Sequence, residues 1–317
     1  MRCAPVTRCG LRVMSVGLKD FEKTATMKLI MIMCTRDNDD VVAQNLAFHL
    51  ERGVEEVIVL DNGSVDGTRD ILSEAARGGP VTVIDDASRD FSQDRMMTRL
   101  AHIARDTHGA DWILPNDADE FWVPHDGNLR DAIAADAGEA SILDCKRRNL
   151  FAPWDSPETL PWHERLIYRV AWPEPIPTMA DVFTDPRPCP HFYCDLKGKV
   201  MLRPAGLSAI SMGSHNASYD SDVTRQDSGI VIYHAPIRTR AQFETKARDG
   251  GAALARNTDL PISAGWHLRR WDWQLRNLGF AAAIGDAIPS MTRLEQDEKA
   301  GIVLKDTCLR DLIAISS

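Results

Sequence analysis

Asp117 and Asp119 stand at i and i+2 directly after the apolar run Trp112-Ile113-Leu114-Pro115, within Asn116-Asp117-Ala118-Asp119-Glu120-Phe121-Trp122. Two hard carboxylate donors at the end of a strand can fill part of the shell of Mg²⁺ or Mn²⁺ and leave the other positions to water and phosphate oxygens. The same short pattern also describes an acidic turn after a buried strand, so its surroundings decide between the two.

For such carboxylates to meet a phosphate they must project from the carboxyl end of a sheet, and the upstream chain supplies one. Residues 29–34 form an unbroken apolar run, as a strand covered on both faces requires. Asp37, Asn38, Asp39 and Asp40 then read as a helix start, with Val42, Leu46, His49 and Leu50 at helical spacing up to Gly53. Residues 57–60 read as a second strand. Ser64 reads as the N-cap of a helix that runs through Ala76 and ends at Gly78 and Gly79. A third strand over 81–84 precedes a helix with Met96, Met97, Leu100, Ile103 and Ala104 on one face, and residues 112–114 make the fourth strand. Strands separated by helices of this length predict an α/β fold with a mostly parallel sheet and helices on both faces.

Beyond Leu150 the pattern changes. Prolines at 153, 157, 161, 173, 175, 177, 186, 188 and 190 forbid a long helix, and short strands are expected over 166–170, 200–202 and 230–233. A last helix opens with Thr239 and Gln242 in capping-box spacing and carries Phe243 and Ala247 inward. Met27 stands directly before the first strand, so residues 1–26 read either as a disordered leader or as the product of an upstream start codon chosen in error.

The second strand ends in Leu60-Asp61-Asn62-Gly63-Ser64-Val65-Asp66-Gly67-Thr68. This stretch resembles the Asp-Asp/Asn-Gly-Ser-x-Asp-Gly-Thr signature of family 2-like glycosyltransferases of GT-A fold. With Thr35-Arg36-Asp37-Asn38 after the first strand and the Asp-x-Asp after the fourth, three loops match in order and spacing over roughly residues 28–125. The forms Arg-Asp-Asn-Asp-Asp and Asn-Asp-Ala-Asp-Glu-Phe resemble the branch related to family 92 and similar bacterial enzymes.

The resemblance implies a nucleotide-diphospho-sugar transferase fold: a nucleotide-sugar-binding half over 27–150, an irregular acceptor-side half of the same catalytic domain over 151–260, and a helical region over 261–317. It implies metal-dependent transfer, with inversion, from a nucleotide-sugar donor, a UDP-sugar by preference, to a hydroxyl of a glycan or glycolipid. Cys34, Thr35 and Arg36 would line base and ribose, Asp61 with Asn62 would meet the base, and Asp94 with Arg95 would approach the pyrophosphate. The family often has an aspartate where Asn62 stands, although an amide also offers a donor and an acceptor to an imide. Asp119 would ligate Mn²⁺ or Mg²⁺ directly, and Asp117 would hold the ribose or a water of the metal shell.

Inverting transfer also needs a base for the acceptor hydroxyl. Glu120 adjoins the motif but alternates to the opposite face of extended chain, while Glu164, Asp181 and Asp185 lie in the irregular segment. His215 and His234 read as further metal ligands or phosphate contacts, or else as buried histidines satisfied by backbone. The candidate catalytic set is therefore Asp119, Glu120, Asp181 and His215, and the candidate metal set Asp117, Asp119, His215 and His234.

Other residues carry two readings. Lys197, Lys199 and Arg203 either offset diphosphate charge or line a solvated strand edge. Trp266, His267, Arg269, Arg270, Trp271 and Trp273 either stack on sugars or form the core side of a docking helix, and packing is the commoner use of such residues. Cys189, His191 and Cys194 lack the second pair that a tetrahedral zinc site needs.

Composition narrows the partners. The 317 residues carry a net charge of −9 with a pI near 5.5, which argues against binding nucleic acid through phosphate attraction. Seven scattered cysteines without a Cys-x-x-Cys pair read as free thiols of a reducing compartment, and no run reaches the length of a membrane span. The expectation is a cytoplasmic protein that associates at most peripherally with a membrane. Two other functions stand beside transfer. A nucleotidyltransferase would show a Gly-rich phosphate loop near the first strand, and residues 34–40 hold no glycine. A non-catalytic carbohydrate-binding protein on the same scaffold would bind glycans without turning over a donor.

Overall fold

The computed structural model describes residues 27–86, 92–257 and 260–315, and the expected leader over 1–26 lies outside them. The first half alternates as expected: β1 (Leu29–Thr35), α1 (Val42–Glu51), β2 (Glu56–Asp61), α2 (Thr68–Gly78), β3 (Val81–Asp85), α3 (Gln93–Asp106) and β4 (Trp112–Asn116). β1 pairs in parallel with both β2 and β4, and β3 adds in parallel to β2. Alternate residues of β1 enter different cores, Leu29, Met31 and Met33 on one face and Ile30 and Ile32 on the other. That is why its apolar run has no polar interruption.

After β4 come β5 (Glu120–Val123), α4 (Leu129–Asp136), β6 (Ile142–Asn149), α5 (Trp162–Arg165), β7 (Tyr168–Val170), β8 (Lys199–Leu202), β9 (Leu207–Ile210), β10 (Ala217–Tyr219) and β11 (Arg225–His234). The main sheet has eight strands in the order β3-β2-β1-β4-β8-β6-β11-β5. β8 runs antiparallel to β4 and β6, β11 parallel to β6, and β5 antiparallel to β11. The sheet is thus mixed, parallel on the side that carries the early loops. β4 and β5 stand several places apart in this order yet are joined by residues 117–119 alone, which only a strongly coiled sheet permits. The Asp-x-Asp is that joint.

The joint is fixed from beneath by α1. His49 places Nδ1 2.8 Å from the Asn45 carbonyl and accepts the Trp122 backbone N–H at Nε2 over 3.1 Å. Asn45 donates to the Glu120 carbonyl (2.7 Å), Asn116 donates to Asn45 Oδ1 (2.9 Å), and Trp122 Nε1 donates to Asn116 Oδ1 (2.8 Å). Each of these polar groups is buried, and each has its partner.

The helix begun at Thr239 is not the last. α6 (Arg240–Arg256) is followed by α7 (Trp266–Asn277), α8 (Phe280–Ala287), α9 (Met291–Lys299), β12 (Val303–Lys305), which pairs with β7, and α10 (Cys308–Ile315). Thr239 caps α6 by accepting the Gln242 N–H, and Phe243 and Ala247 are buried as the spacing requires. Phe243, Trp271 and Ile284 share a third core with Phe151 and Tyr193. α7 is accordingly a docking helix, with Arg270 buried against Asp286 (2.9 Å). The start of α2 differs from expectation. It begins at Thr68 rather than after Ser64, because Ser64 Oγ is engaged by the Asp61 carboxylate and by the Asp37 N–H. No described helix is long and apolar enough to cross a membrane.

Candidate active site

The loops after β1 and β2 are laced together. Asp37 N–H donates to Ser64 Oγ (3.1 Å), and Asp37 Oδ1 accepts Val65 N–H (2.7 Å). Asn38 N–H donates to Thr68 Oγ1 (2.7 Å), and Asp39 Oδ2 accepts Gly67 N–H (3.2 Å). Asp66 accepts the N–H groups of both Asp39 (3.1 Å) and Thr68 (2.9 Å). Asp37 adopts φ 52°, a left-handed conformation that aspartate tolerates better than most residues. The Asp-Asn-Gly-Ser-Val-Asp-Gly-Thr stretch is therefore largely a frame for backbone, forming one wall of a cleft at the carboxyl ends of β1, β2 and β4.

The other wall comes from the C-terminal half and brings cations. Lys199 Nζ lies 2.6 Å from Asp117 Oδ2 and 2.6 Å from Glu120 Oε2, and Arg147 lies 3.2 Å from Glu120 Oε1. The Lys199 side chain is only 1% exposed. Burial pulls its ammonium down, but Asp117 and Glu120 outweigh burial and leave it raised. Gly198 makes the placement possible, since a Cβ there would sit 2.1 Å from the Cys145 carbonyl oxygen. The second oxygen of Asp117 accepts Gln93 Nε2 (3.0 Å) at the start of α3.

Asp119 occupies a different setting. Its Oδ2 lies 3.2 Å from Lys246 Nζ and 3.6 Å from Arg238 Nη1, and its Oδ1 lies 3.6 Å from His234 Nε2. Burial pushes this carboxyl up, but Lys246, His234 and Arg238 together hold it well below the usual carboxylate range. Burial keeps the His234 imidazole below its ordinary value despite Asp119. His234 Nδ1 lies 2.8 Å from Asn149 Oδ1. With the proton on Nδ1 and donated to Asn149, the Nε2 lone pair turns toward Asp119.

That geometry is the test of whether a divalent cation fits. Asp119 Oδ1 and His234 Nε2 face each other at 3.6 Å, and the outer hydrogen bond to Asn149 orients the histidine as metal-binding histidines require, so these two side chains are the ones that would hold a divalent cation. Asp117 is engaged by Lys199 and Gln93 instead. Among the described residues no three His, Cys, Asp or Glu side chains converge on one metal position. Asp119 and His234 are therefore the residues that could take part in holding a metal.

Residues 30–194, just over half of the chain, match the family model described as glycosyl transferase family 2. The chain belongs to glycosyl transferase family 2. It is a glycosyltransferase with a nucleotide-sugar donor, on a GT-A-like α/β fold. Among solved structures, S. aureus TarS 1-349 is similar over 86% of this chain and 79% of its own, at 16% identity and TM-score 0.41. The same TarS fragment in complex with UDP-GlcNAc is similar over 92% of this chain and 90% of its own, at 13% identity and TM-score 0.41. A mycobacterial protein is similar over 39% of this chain and 42% of its own, at 16% identity and TM-score 0.28. A likeness this loose assigns no residue a role. No curated protein matches.

Several residues expected to act in this glycosyltransferase have other engagements. Asp61 is buried; its Oδ1 accepts Ser64 Oγ (2.5 Å) and its Oδ2 accepts Arg69 Nη1 (3.0 Å), so it braces the loop rather than presenting a free carboxylate to a base. Asn62, half-buried beside it, donates to the Asp86 carbonyl (2.9 Å). Thr35 is buried and accepts from Asn38 Nδ2 (3.2 Å). The Cys34 sulfur rests 3.5 Å from Met96 Sδ, its thiol pushed up to about 12 by burial and then by Asp117, Asp86 and Asp61. Arg36 alone of that trio turns outward, paired with Asp37 at 3.3 Å.

On α3, Gln93 is the residue that reaches Asp117. Asp94 and Arg95 line an open groove of about 590 Å³ with Thr98, Arg99 and His102, on the helix face turned away from the sheet. Helical rotation separates them from Asp117. Glu120 is wholly buried, and although burial raises its carboxyl, Lys199 and Arg147 lower it further, so it is a poor acceptor for a hydroxyl proton. His215 places Nδ1 2.6 Å from the Gly198 carbonyl, and its Nε2 packs where a Cβ of Gly213 would come within 2.6 Å. The structure brings His234, not His215, to Asp119. Asp181 stays exposed, its oxygens accepting Phe183 N–H and Thr184 Oγ1 (2.8 Å each) in a local turn.

The zinc possibility at Cys189, His191 and Cys194 is filled by a guanidinium. Arg187 lies 3.2 Å from Cys194 Sγ and 3.4 Å from His191 Nδ1, and the two sulfurs are 3.8 Å apart. The residues that pattern reading missed are Gln93, Asn149, Arg238 and Lys246. Two of them carried a faint signal, being cations placed around the capped start of α6 next to the strand-end histidine.

Proposed function

We propose that this family 2 enzyme transfers a sugar, with inversion, from a UDP-sugar to a hydroxyl of a glycan or glycolipid, and that it works with Mn²⁺ or Mg²⁺ held by Asp119 and His234. One observation carries the reading: Asp119 Oδ1 and His234 Nε2 face each other across 3.6 Å, with His234 oriented by Asn149. A cation bound there would supply Lewis-acid charge to the donor diphosphate as the leaving group departs.

The protein's own groups do the rest. The laced loops after β1 and β2 form the nucleotide wall, where the Asn62 amide carries the donor and acceptor that a uracil imide can match. Lys199 fixes Asp117 at 2.6 Å, so that its carboxylate can hold a ribose hydroxyl in one orientation. Arg238 grips Asp40 through Nε and Nη2 (2.7 and 2.8 Å) and Asn38 (3.1 Å), tying the first loop to the turn after β11 and holding Asp119 in place. Of the candidate bases, Glu164 and Asp181 are exposed whereas Glu120 is buried, and acceptor deprotonation is proposed for one of these two exposed carboxylates. The forms of the first loop and of the Asp-x-Asp support a branch related to family 92.

Thermal unfolding of the full chain with UDP-, GDP-, CMP- and dTDP-sugars, with and without Mn²⁺, tests the proposal. Binding to the folded state raises Tm by mass action, so UDP-sugars should stabilise it more with Mn²⁺ than without. A shift that is the same without metal, or is absent across the panel, would remove the proposal.

A further inference from the structure

We propose that Lys246 is a further catalytic residue of this transferase: its ammonium swings from Asp119 to the departing nucleoside diphosphate and carries part of the charge that develops there. The inference rests on the reading of the Asp119 site as the diphosphate site.

Among the described residues four cationic or basic side chains meet the two aspartates, and three are immobilised. The Lys199 side chain is 1% exposed and bridges Asp117 and Glu120. Arg238 is fully enclosed and fixed by Asp40, Asn38 and the Ala235 carbonyl. His234 is held by Asn149. Lys246 is 41% exposed, and beyond Asp119 its ammonium meets only the Pro236 carbonyl at 3.4 Å among the described contacts. It can leave Asp119 at little cost because Arg238 remains beside the same oxygen.

Its stem, by contrast, is well placed. Phe243 and Ala247 anchor that stretch of α6 in the core. At Gly251 a Cβ would fall 2.4 Å from Asp272 Cβ, so glycine there lets α7 press against α6 and fix the helix. A flexible cation on a rigid helix, beside the metal-binding carboxylate and open to solvent, suits a charge that appears only during reaction.

In the step itself the bond from the anomeric carbon to the phosphate oxygen breaks with its electron pair on that oxygen. The acceptor oxygen bonds to the anomeric carbon, and the acceptor's proton passes to the acceptor-side base. Lys246 exchanges no proton and acts through charge and hydrogen bonding.

The position also makes Lys246 a competitor of the metal, since both face one carboxylate. Lys246→Met should therefore move two quantities in opposite senses. Turnover should fall about 100- to 1,000-fold, the usual effect of losing one donor to developing charge, with a much smaller rise in donor KM. Mn²⁺ binding to the donor-free protein, read by electron paramagnetic resonance, should tighten several-fold through loss of repulsion. Lys246→Arg should recover most of the turnover. Turnover within about twofold of wild type in Lys246→Met would overturn the proposal. So would weaker Mn²⁺ binding accompanied by a lowered Tm, the mark of a merely structural role. Failure of wild-type protein to bind Mn²⁺ would instead sink the metal reading, and turnover of the two variants would still decide the role of Lys246.

Discussion

The two walls of the cleft are built by opposite means. On the β1 and β2 side, carboxylates turn inward to hold backbone: Asp39, Asp61 and Asp66 accept N–H groups or neighbouring side chains, and the loops brace each other. On the β8, β11 and α6 side, cations cross from distant sequence to meet Asp117, Asp119 and Asp40. The difference teaches that acidic residues equal on paper do different work. Asp39, Asp61 and Asp66 shape the loops, whereas Asp40, Asp117 and Asp119 meet cations from distant sequence.

The largest expected effect sharpens that division. Asp119→Ala should lower transfer roughly a thousandfold or more in a donor-turnover assay while the protein still folds, because both the proposed metal ligand and the focus of three basic groups are lost. Lys199→Met acts on stability first. Leaving Asp117 and Glu120 without their shared cation should cost about 3–5 kcal/mol in urea denaturation, and a loss near zero would contradict the burial argument. His49→Ala, which empties the support beneath the joint, should cost about 1–3 kcal/mol by the same measurement. Asp66→Ala should cost only about 1 kcal/mol, as for loss of a cap, with turnover changed far less than in Asp119→Ala.

The support also predicts a pH dependence. Burial lowers the His49 imidazole from 6.5 to about 4, against the pull of the Asn45 carbonyl. Between these values the unfolded chain binds a proton that the folded chain refuses, so stability rises with pH across that window and is lost on acidification through it. His191, His234 and His267, all lowered, act in the same direction. Urea denaturation at several pH values should show this slope, and His49→Gln should flatten it in part; a slope unchanged by His49→Gln would refute the assignment.

What could be read from sequence follows the range of the interactions. The run over β1, the spacing in α3 and the Thr239 cap depend on residues a few positions apart, and the structure shows each where its pattern places it. Ser64 misled because its hydroxyl serves Asp61 and Asp37 across loops rather than the first turn of a helix. Asp117 and Asp119 were legible from the strand before them. Their partners were not, since Lys199 lies 82 and Lys246 127 positions away, and no local period links them. A lysine read as either a diphosphate contact or a solvated edge proves to be a buried bridge. The helices after α6 were legible only as an aromatic and basic cluster, whose packing on Phe243 and Phe151 is again long-range.

The central claim is that Asp119 and His234 share one divalent cation. Electron spin-echo spectroscopy of Mn²⁺ bound to the full chain with UDP addresses it directly, because a coordinated imidazole imprints nitrogen coupling on the metal signal. The account predicts that coupling in wild type, its disappearance in His234→Ala, and loss of bound Mn²⁺ in Asp119→Ala. Bound Mn²⁺ without nitrogen coupling, or coupling that survives in His234→Ala, would contradict it.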